Sequence, residues 1–414
     1  MTNPYFYSIL LFAFMAVLGA IDASLTNYQL IPFMNGLKWM CLHFITLGVM
    51  TQAIFLIAPI MAARRANLPR PKVRWDIWVL LNTGIVALVY GIPAINNNVI
   101  LAGGTLVFIA VTLLALQLAG MRKQGDAQPA GTNAEPNELD SAKSGRKFYI
   151  TGLLYLLLGI IIGTGFWMGW PALMRMKAPV EVHIHANNWG FMSLAFAGMI
   201  IDYYGRFTGR RLAAGKGAIS AIFWLMTIGA LGLVLGPWFG KLYLTVPGLL
   251  MHLAGTLWLM WAVIKPLMGS GKWTPGAWHL ILAYAWILAP VLTAPVVILG
   301  LPGFSGGIVE ANAPQALIYG WVLQVAVAVI PFFTMRVFRP DEPARLGGSW
   351  WTVIGLNLGS ILLWMGIFIT PYFNVLTGSA YLVWAITAFI FAWDLLKIIR
   401  AGTDGDESAA IALG

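Results

Sequence analysis

Long apolar runs separated by short polar stretches fill almost the whole chain, and they constrain its fold more than any other feature. Each run has about 20 residues, the length with which an α-helix crosses the hydrocarbon core of a bilayer. Only 10% of the 414 residues are charged, whereas soluble domains carry roughly a quarter. We therefore expect an all-α, polytopic membrane protein surrounded by lipid, and no nucleic-acid partner despite the net charge of +10.

Breaks at glycine, proline and charged residues divide the runs into twelve predicted spans. Lys and Arg test this division, because they collect in cytoplasmic loops. The loops after even-numbered spans and the C-terminal segment hold 21 of the 25 Lys and Arg residues. This distribution predicts a multi-pass protein of the inner (cytoplasmic) membrane with both termini in the cytoplasm. The predicted spans are 5–26, 37–62, 76–93, 98–120, 148–170, 181–204, 218–237, 243–265, 276–300, 311–335, 350–371 and 377–399.

The spans repeat in units of four. The second span of each unit has a polar residue five positions before a glycine: His43 before Gly48, His185 before Gly190, and Gln315 before Gly320. The third span of each unit has two glycines seven residues apart, a spacing that lets membrane helices approach closely. We expect one membrane domain of three pseudo-repeats around a pseudo-threefold axis. Its predicted parts are repeats 1–120, 148–266 and 276–400, a cytoplasmic linker at 121–147 and a disordered tail at 401–414.

Four of the five histidines are predicted to lie in the outer half of the membrane. At a rise of about 1.5 Å per residue, His183 and His185 lie roughly 3–6 Å into their span, His43 about 9 Å and His252 about 14 Å. Ionisable groups at this depth are usually functional, and imidazole suits haem iron or copper. All four are therefore candidate metal and cofactor ligands, and the alternative is that they form scattered helix–helix hydrogen bonds. His279, at the inner end of its span, is interpreted as interfacial.

Helix geometry predicts which of these residues share a pocket. Residues two apart on a helix differ by about 200° in direction, so His183 and His185 face opposite sides. If the position seven before each glycine faces the preceding repeat, one pocket holds two imidazoles; the opposite sense of rotation leaves no such pocket. The predicted pairs are His43 with His183, His185 with Ala313, and Gln315 with Cys41. Because Cys41 is the only cysteine, a haem in this chain lacks the Cys-x-x-Cys-His attachment and is held non-covalently.

The segment Val-His183-Ile-His185-Ala-Asn-Asn-Trp-Gly190-Phe resembles the His-x-His-x4-Gly-Phe/Trp helix of haem–copper oxidase subunit I, and also the start of NnrS family proteins. Both families have twelve-helix, haem-binding chains. The resemblance implies one or two b-type haems, with or without copper, and makes His183 and His185 ligands of two different haems. Asn187, Asn188 and Gln315 are candidates for orienting these ligands. The adjacent His-His pair and the His-x3-Tyr motif of the oxidases are absent, so a proton-pumping oxidase is not expected.

The resemblance implies a membrane haem protein that binds or reduces a diatomic gas, nitric oxide or oxygen, or that passes electrons from a cytochrome or a quinol. As an enzyme it would be an oxidoreductase of the nitric oxide reductase or terminal oxidase kind. The alternative is a secondary transporter of the major facilitator type, because the segment from Asp202 to Arg211 resembles the Gly/Asp/Arg loop of that family. Such transporters have halves of six helices, whereas the repeat here has four. A structural or assembly protein of the membrane is the third hypothesis.

Overall fold

The computed structural model describes residues 3–66, 68–125, 145–269, 273–303, 305–339 and 341–412. Of the described residues, 84% are helical and none lies in a β-strand. The predicted linker falls largely on residues 126–144, which lie outside the described residues.

Twelve long helical segments follow one another in the described parts of the chain. Ten of them, all except the third and the sixth, are long and apolar enough to cross a membrane. The protein is therefore a helical, polytopic membrane protein. The segments are α1 (Pro4–Asn27), α2 (Leu37–Arg65), α3 (Trp75–Gly91), α4 (Asn97–Gly125), α5 (Arg146–Met168), α6 (residues 179–208), α7 (Lys216–Phe239), α8 (Leu242–Met268), α9 (Pro275–Ile298), α10 (Gly306–Phe338), α11 (Trp350–Phe368) and α12 (Phe373–Ala412).

Short turns make successive helices antiparallel neighbours. Between α7 and α8 only Gly240 and Lys241 intervene. Gly240 has a φ of 65°, a left-handed conformation that only glycine adopts without strain. Its N–H bonds to the carbonyl of Gly236 and so caps the end of α7. The turn brings Gly229 of α7 against the backbone of α8, close to His252.

The helices α2, α6 and α10 each contain a stretch of π-helix just after the polar residue of the repeat. The stretches are Phe44–Thr51, Ala186–Met192 and Ile318–Val322. A π-turn widens the helix by one residue and is frequently found at functional sites. The sequence analysis did not predict these turns.

A second recurring feature joins the first two helices of each predicted unit. At the repeat glycine of α2, α6 and α10, a methyl group would lie 2.3–2.5 Å from an aromatic side chain of the preceding helix in the same unit. Each contact therefore needs the absence of a side chain on the glycine. The pairs are Gly48 with Phe12, Gly190 with Tyr155, and Gly320 with Trp286.

The end of the chain differs from its prediction as a disordered tail from residue 401. The helix α12 continues to Ala412. No proline interrupts this segment, and its alanines and glutamate favour helix. Polarity alone was therefore an insufficient reason to predict disorder for residues 401–412.

We expect Gly190→Ala to lower the free energy of unfolding by about 1–3 kcal/mol, because the new methyl group overlaps the ring of Tyr155. Thermal unfolding of purified protein in detergent measures the effect. Gly217→Ala is the matched control, since nothing lies within 4 Å of the position that its methyl group would take. Equal melting temperatures for the two variants would contradict the packing.

Candidate functional site

The rings of His43 on α2 and His183 on α6 are neighbours, with their centroids 6.5 Å apart and their planes 31° from parallel. This contact between the first two repeats is the predicted pairing. Trp39 stacks on His43 at 4.2 Å, and Phe166 makes a T-shaped contact with His183 at 5.5 Å. Aromatic rings thus hold both imidazoles in place.

Hydrogen bonds set the tautomer of three of the histidines. The Nδ1 atoms of His43, His183 and His185 lie 2.8, 2.9 and 2.7 Å from the backbone carbonyls of Trp39, Gly159 and Leu233. A carbonyl only accepts, so each Nδ1 carries the proton and each Nε2 keeps its lone pair. Histidines that ligate metals usually donate their other N–H in this manner. These three imidazoles are therefore prepared for coordination through Nε2.

Asn187 lies against His183 and has the position expected of a residue that orients a ligand. Its side-chain nitrogen donates to the carbonyl of His183 at 2.8 Å and lies 3.5 Å from Nε2 of the same residue. The side chain of Asn188 is 4% exposed, and its Nδ2 has no partner. Asn187 is thus placed to limit the rotation of His183, whereas Asn188 points elsewhere.

His185 faces away from the His43–His183 pair, as the predicted 200° separation requires. It is 9% exposed and lines a cavity of about 370 Å³ between α6, α7, α8, α9 and α10. Ala313, its predicted neighbour, lies in the same cavity wall, and so do Glu181 and Glu310. His185 therefore has its own pocket, separate from the two-histidine site.

His252 does not join the other predicted ligands. Its Nε2 lies 3.1 Å from the hydroxyl of Ser193 and 3.2 Å from the carbonyl of Trp189, and its Nδ1 lies 3.3 Å from the hydroxyl of Thr256. Both ring nitrogens thus have partners, and the side chain is 2% exposed. These contacts form a hydrogen-bonded link between α8 and α6. The predicted depth in the membrane gave the level of His252 but did not show its neighbours.

His279, predicted to lie at the inner membrane interface, has its side chain inside the helix bundle. The residue is fully buried, with its Nδ1 3.2 Å from Gln324 Oε1 and its Nε2 2.9 Å from the hydroxyl of Thr352. Beyond Gln324, Asn357 accepts a bond from the indole of Trp286 at 2.9 Å. This polar network ties α9, α10 and α11 together.

Part of this network was detectable in the sequence. Gln52 and Gln324 follow the polar repeat residue of their helix by nine positions. Gln52 donates to Asn82 at 2.8 Å, and Gln324 contacts Asn357 at 3.4 Å. Each asparagine lies two residues before a glycine of the paired-glycine pattern. The Asn-x-Gly motif could therefore have indicated these glutamine–asparagine contacts from the sequence.

Gln315 and Cys41, the third predicted pair, form no hydrogen bond with each other among the described residues. Gln315 is 6% exposed and fully within the bundle. The thiol of Cys41 instead donates to the carbonyl of Gly19 at 3.3 Å. Neither residue adds a ligand to the two-histidine site.

A buried ion pair at the other end of α6 was not expected. Asp202 accepts a bond from Nε of Arg65 at 3.3 Å and another from the N–H of Gly145 at 2.9 Å. The side chain of Asp202 is 1% exposed and that of Arg65 is 21% exposed. Arg65 and Asp202 thus join α2 to α6, the two helices that carry the neighbouring histidines, at a second point.

Comparisons with known proteins add no family assignment. No protein-family model matches the chain, and no curated protein is significantly similar to it.

We expect Asp202→Asn to reduce the free energy of unfolding by about 2 kcal/mol, because charge-assisted hydrogen bonds are lost and Arg65 keeps an uncompensated charge. The surface pair of Arg74 and Asp76 supplies the control, with side chains 43% and 52% exposed. Asp76→Asn should change stability by less than about 1 kcal/mol. Similar thermal shifts for both variants would show that the buried pair contributes no more than the surface pair.

Proposed function

We propose that this chain is a membrane haem protein in which His43 and His183 would hold one b-type haem. The ring separation supports the proposal. Metal–nitrogen bonds of about 2 Å, with about 1 Å more from each nitrogen to its ring centre, put two imidazoles on opposite sides of one ion roughly 6 Å apart. The observed centroid separation is 6.5 Å.

The composition of the donor set favours haem iron over a bare metal ion. Zinc and copper sites in proteins take three or four protein ligands. Among the described residues, no three His, Cys, Asp or Glu side chains form a group that could hold a metal. A porphyrin supplies four nitrogens of its own, so two imidazoles complete the coordination of its iron.

The activity best supported by this arrangement is electron transfer. A haem supplies one-electron redox chemistry when bound. If both His43 and His183 hold the iron, no place remains on it for a gas. Their bonds to the carbonyls of Trp39 and Gly159 fix the rings, and the stacked Trp39 limits access of water to His43. Binding or reduction of nitric oxide or oxygen needs an open iron or a copper ion, for which His185 is the remaining ligand candidate.

The proposal extends to the arrangement of the whole chain. We propose twelve spans in three four-helix units, with both termini in the cytoplasm and the protein in the inner membrane. The π-turns in α2, α6 and α10 support the repeat, and so do the glycine–aromatic contacts in each unit. The two imidazoles that α6 presents on opposite sides support a kinship with haem–copper oxidase subunit I or the NnrS proteins.

We expect purified protein to show a Soret band and a pyridine haemochrome typical of b-type haem. His43→Ala and His183→Ala should remove the same spectral component, because each deletes one ligand of one iron. His279→Ala is the control, since it lies in a separate hydrogen-bond network. The proposal fails if protein expressed with ample haem carries none, or if His43→Ala leaves haem content and spectrum unchanged.

Topology reporters check the orientation. A reporter fused at Asn133 or Thr403 should give a cytoplasmic signal and one at Asn97 an external signal, because Lys and Arg collect on the first side. An external signal at Asn133 would contradict the four-helix unit.

A further inference from the structure

The cavity beside His185 presents an unusual set of polar groups. His185 directs its Nδ1–H to the carbonyl of Leu233, so Nε2 is left as an acceptor in a side chain more than nine-tenths buried. The carboxylates of Glu181 and Glu310 line the same wall. Of the hydroxyls, that of Thr293 already donates to the carbonyls of α9. Lys241 also lines the cavity, but its side chain is exposed. The buried part of the cavity therefore offers mainly hydrogen-bond acceptors.

Most of the other lining residues are apolar, and so is one edge of the cavity. Leu233, Leu249 and Leu317 line the interior. Leu242 on α8 and Ile298 on α9 also line it, yet they are 56% and 37% exposed on the outside of the protein. Only 17% of the α9 span is buried. An apolar edge between two membrane helices gives a lipid-dissolved molecule a route into the cavity.

A second haem suits this cavity poorly. Its two propionates are anionic, and Glu181 and Glu310 would repel them. The facing Ala313 offers no ligand opposite His185. The groups that line the cavity instead suit a neutral, apolar molecule with hydroxyl groups to donate.

We propose that this cavity binds the head group of a lipid-soluble quinol, with Nε2 of His185 and the carboxylates of Glu181 and Glu310 accepting its hydroxyl hydrogens. The choice of a quinol over another hydrogen-bond donor rests on the proposed electron-transfer function, which requires a donor of electrons. The acceptor-rich lining has a specific consequence. The reduced quinol donates two hydrogen bonds whereas the oxidised quinone donates none, so the cavity should favour the reduced form.

Binding of decylubiquinol and decylubiquinone to the full chain in lipid nanodiscs tests the proposal. The bound quinone is extracted and quantified under anaerobic conditions, with empty nanodiscs subtracted. We expect the quinol to bind at least about tenfold more tightly than the quinone, as one to two lost hydrogen bonds would give. Glu181→Gln, Glu310→Gln and His185→Leu should each weaken quinol binding by roughly three- to tenfold.

The matched control is Glu342→Gln, which removes a carboxylate paired with Arg339 in the segment between α10 and α11. It should leave quinol binding unchanged. Equal affinity for quinol and quinone, or unchanged quinol binding in the cavity variants, would overturn the proposal. Binding of dodecylamine that depends on both glutamates, with no binding of the quinol, would identify an amine site instead.

Haem content separates this inference from the proposed function. The three cavity variants should keep the pyridine haemochrome of the parent protein. Loss of haem in His185→Leu would make His185 an iron ligand and overturn the quinol site. Quinol selectivity in a protein without haem would refute the haem proposal and leave the binding site intact.

Discussion

Every polar backbone group within the hydrocarbon region must find its hydrogen-bond partner inside the protein, and the whole structure follows from this constraint. Helices satisfy it locally, and long helical segments therefore follow one another along the chain with short turns between them. The same constraint governs the side chains. The imidazoles of His43, His183 and His185 each donate Nδ1–H to a backbone carbonyl. This hydrogen bond satisfies the N–H group and restricts rotation of the ring.

The histidines acquire different roles through their remaining nitrogens. In His252 and His279 both nitrogens have partners on neighbouring helices. In His43, His183 and His185 only Nδ1 has a strong partner, so Nε2 is available to bind a ligand. All five are histidines, and it is the number of hydrogen-bond partners around each ring that distinguishes a helix–helix contact from a candidate site.

Much of the fold and part of the site were predictable from the sequence. Apolar runs located the helices to within a few residues, except at the end of α12. The 200° separation of His183 and His185, together with the repeat, predicted both the His43–His183 contact and the cavity shared by His185 and Ala313. The buried pair of Arg65 and Asp202 was not predictable in this manner, because periodicity gives the level of a residue and its face but not the side chain that meets it. The same limit explains His252 and His279.

The π-turns carry a consequence for how these helices tolerate change in length. Each residue of an α-helix turns the chain by roughly 100°, and a π-turn holds one residue beyond the α-helical count. Loss of one residue from Ala186–Met192 can therefore restore an ordinary helix without breaking it. The two halves of α6, with the imidazoles on one and the Asp202 anchor on the other, would then keep nearly the same relative rotation, because the wide turn already absorbs the extra residue. The π-turn thus lets α6 hold one more residue without turning its histidines away from their neighbours, whereas a residue deleted from an α-helical part of the same helix would rotate one half against the other by roughly 100°.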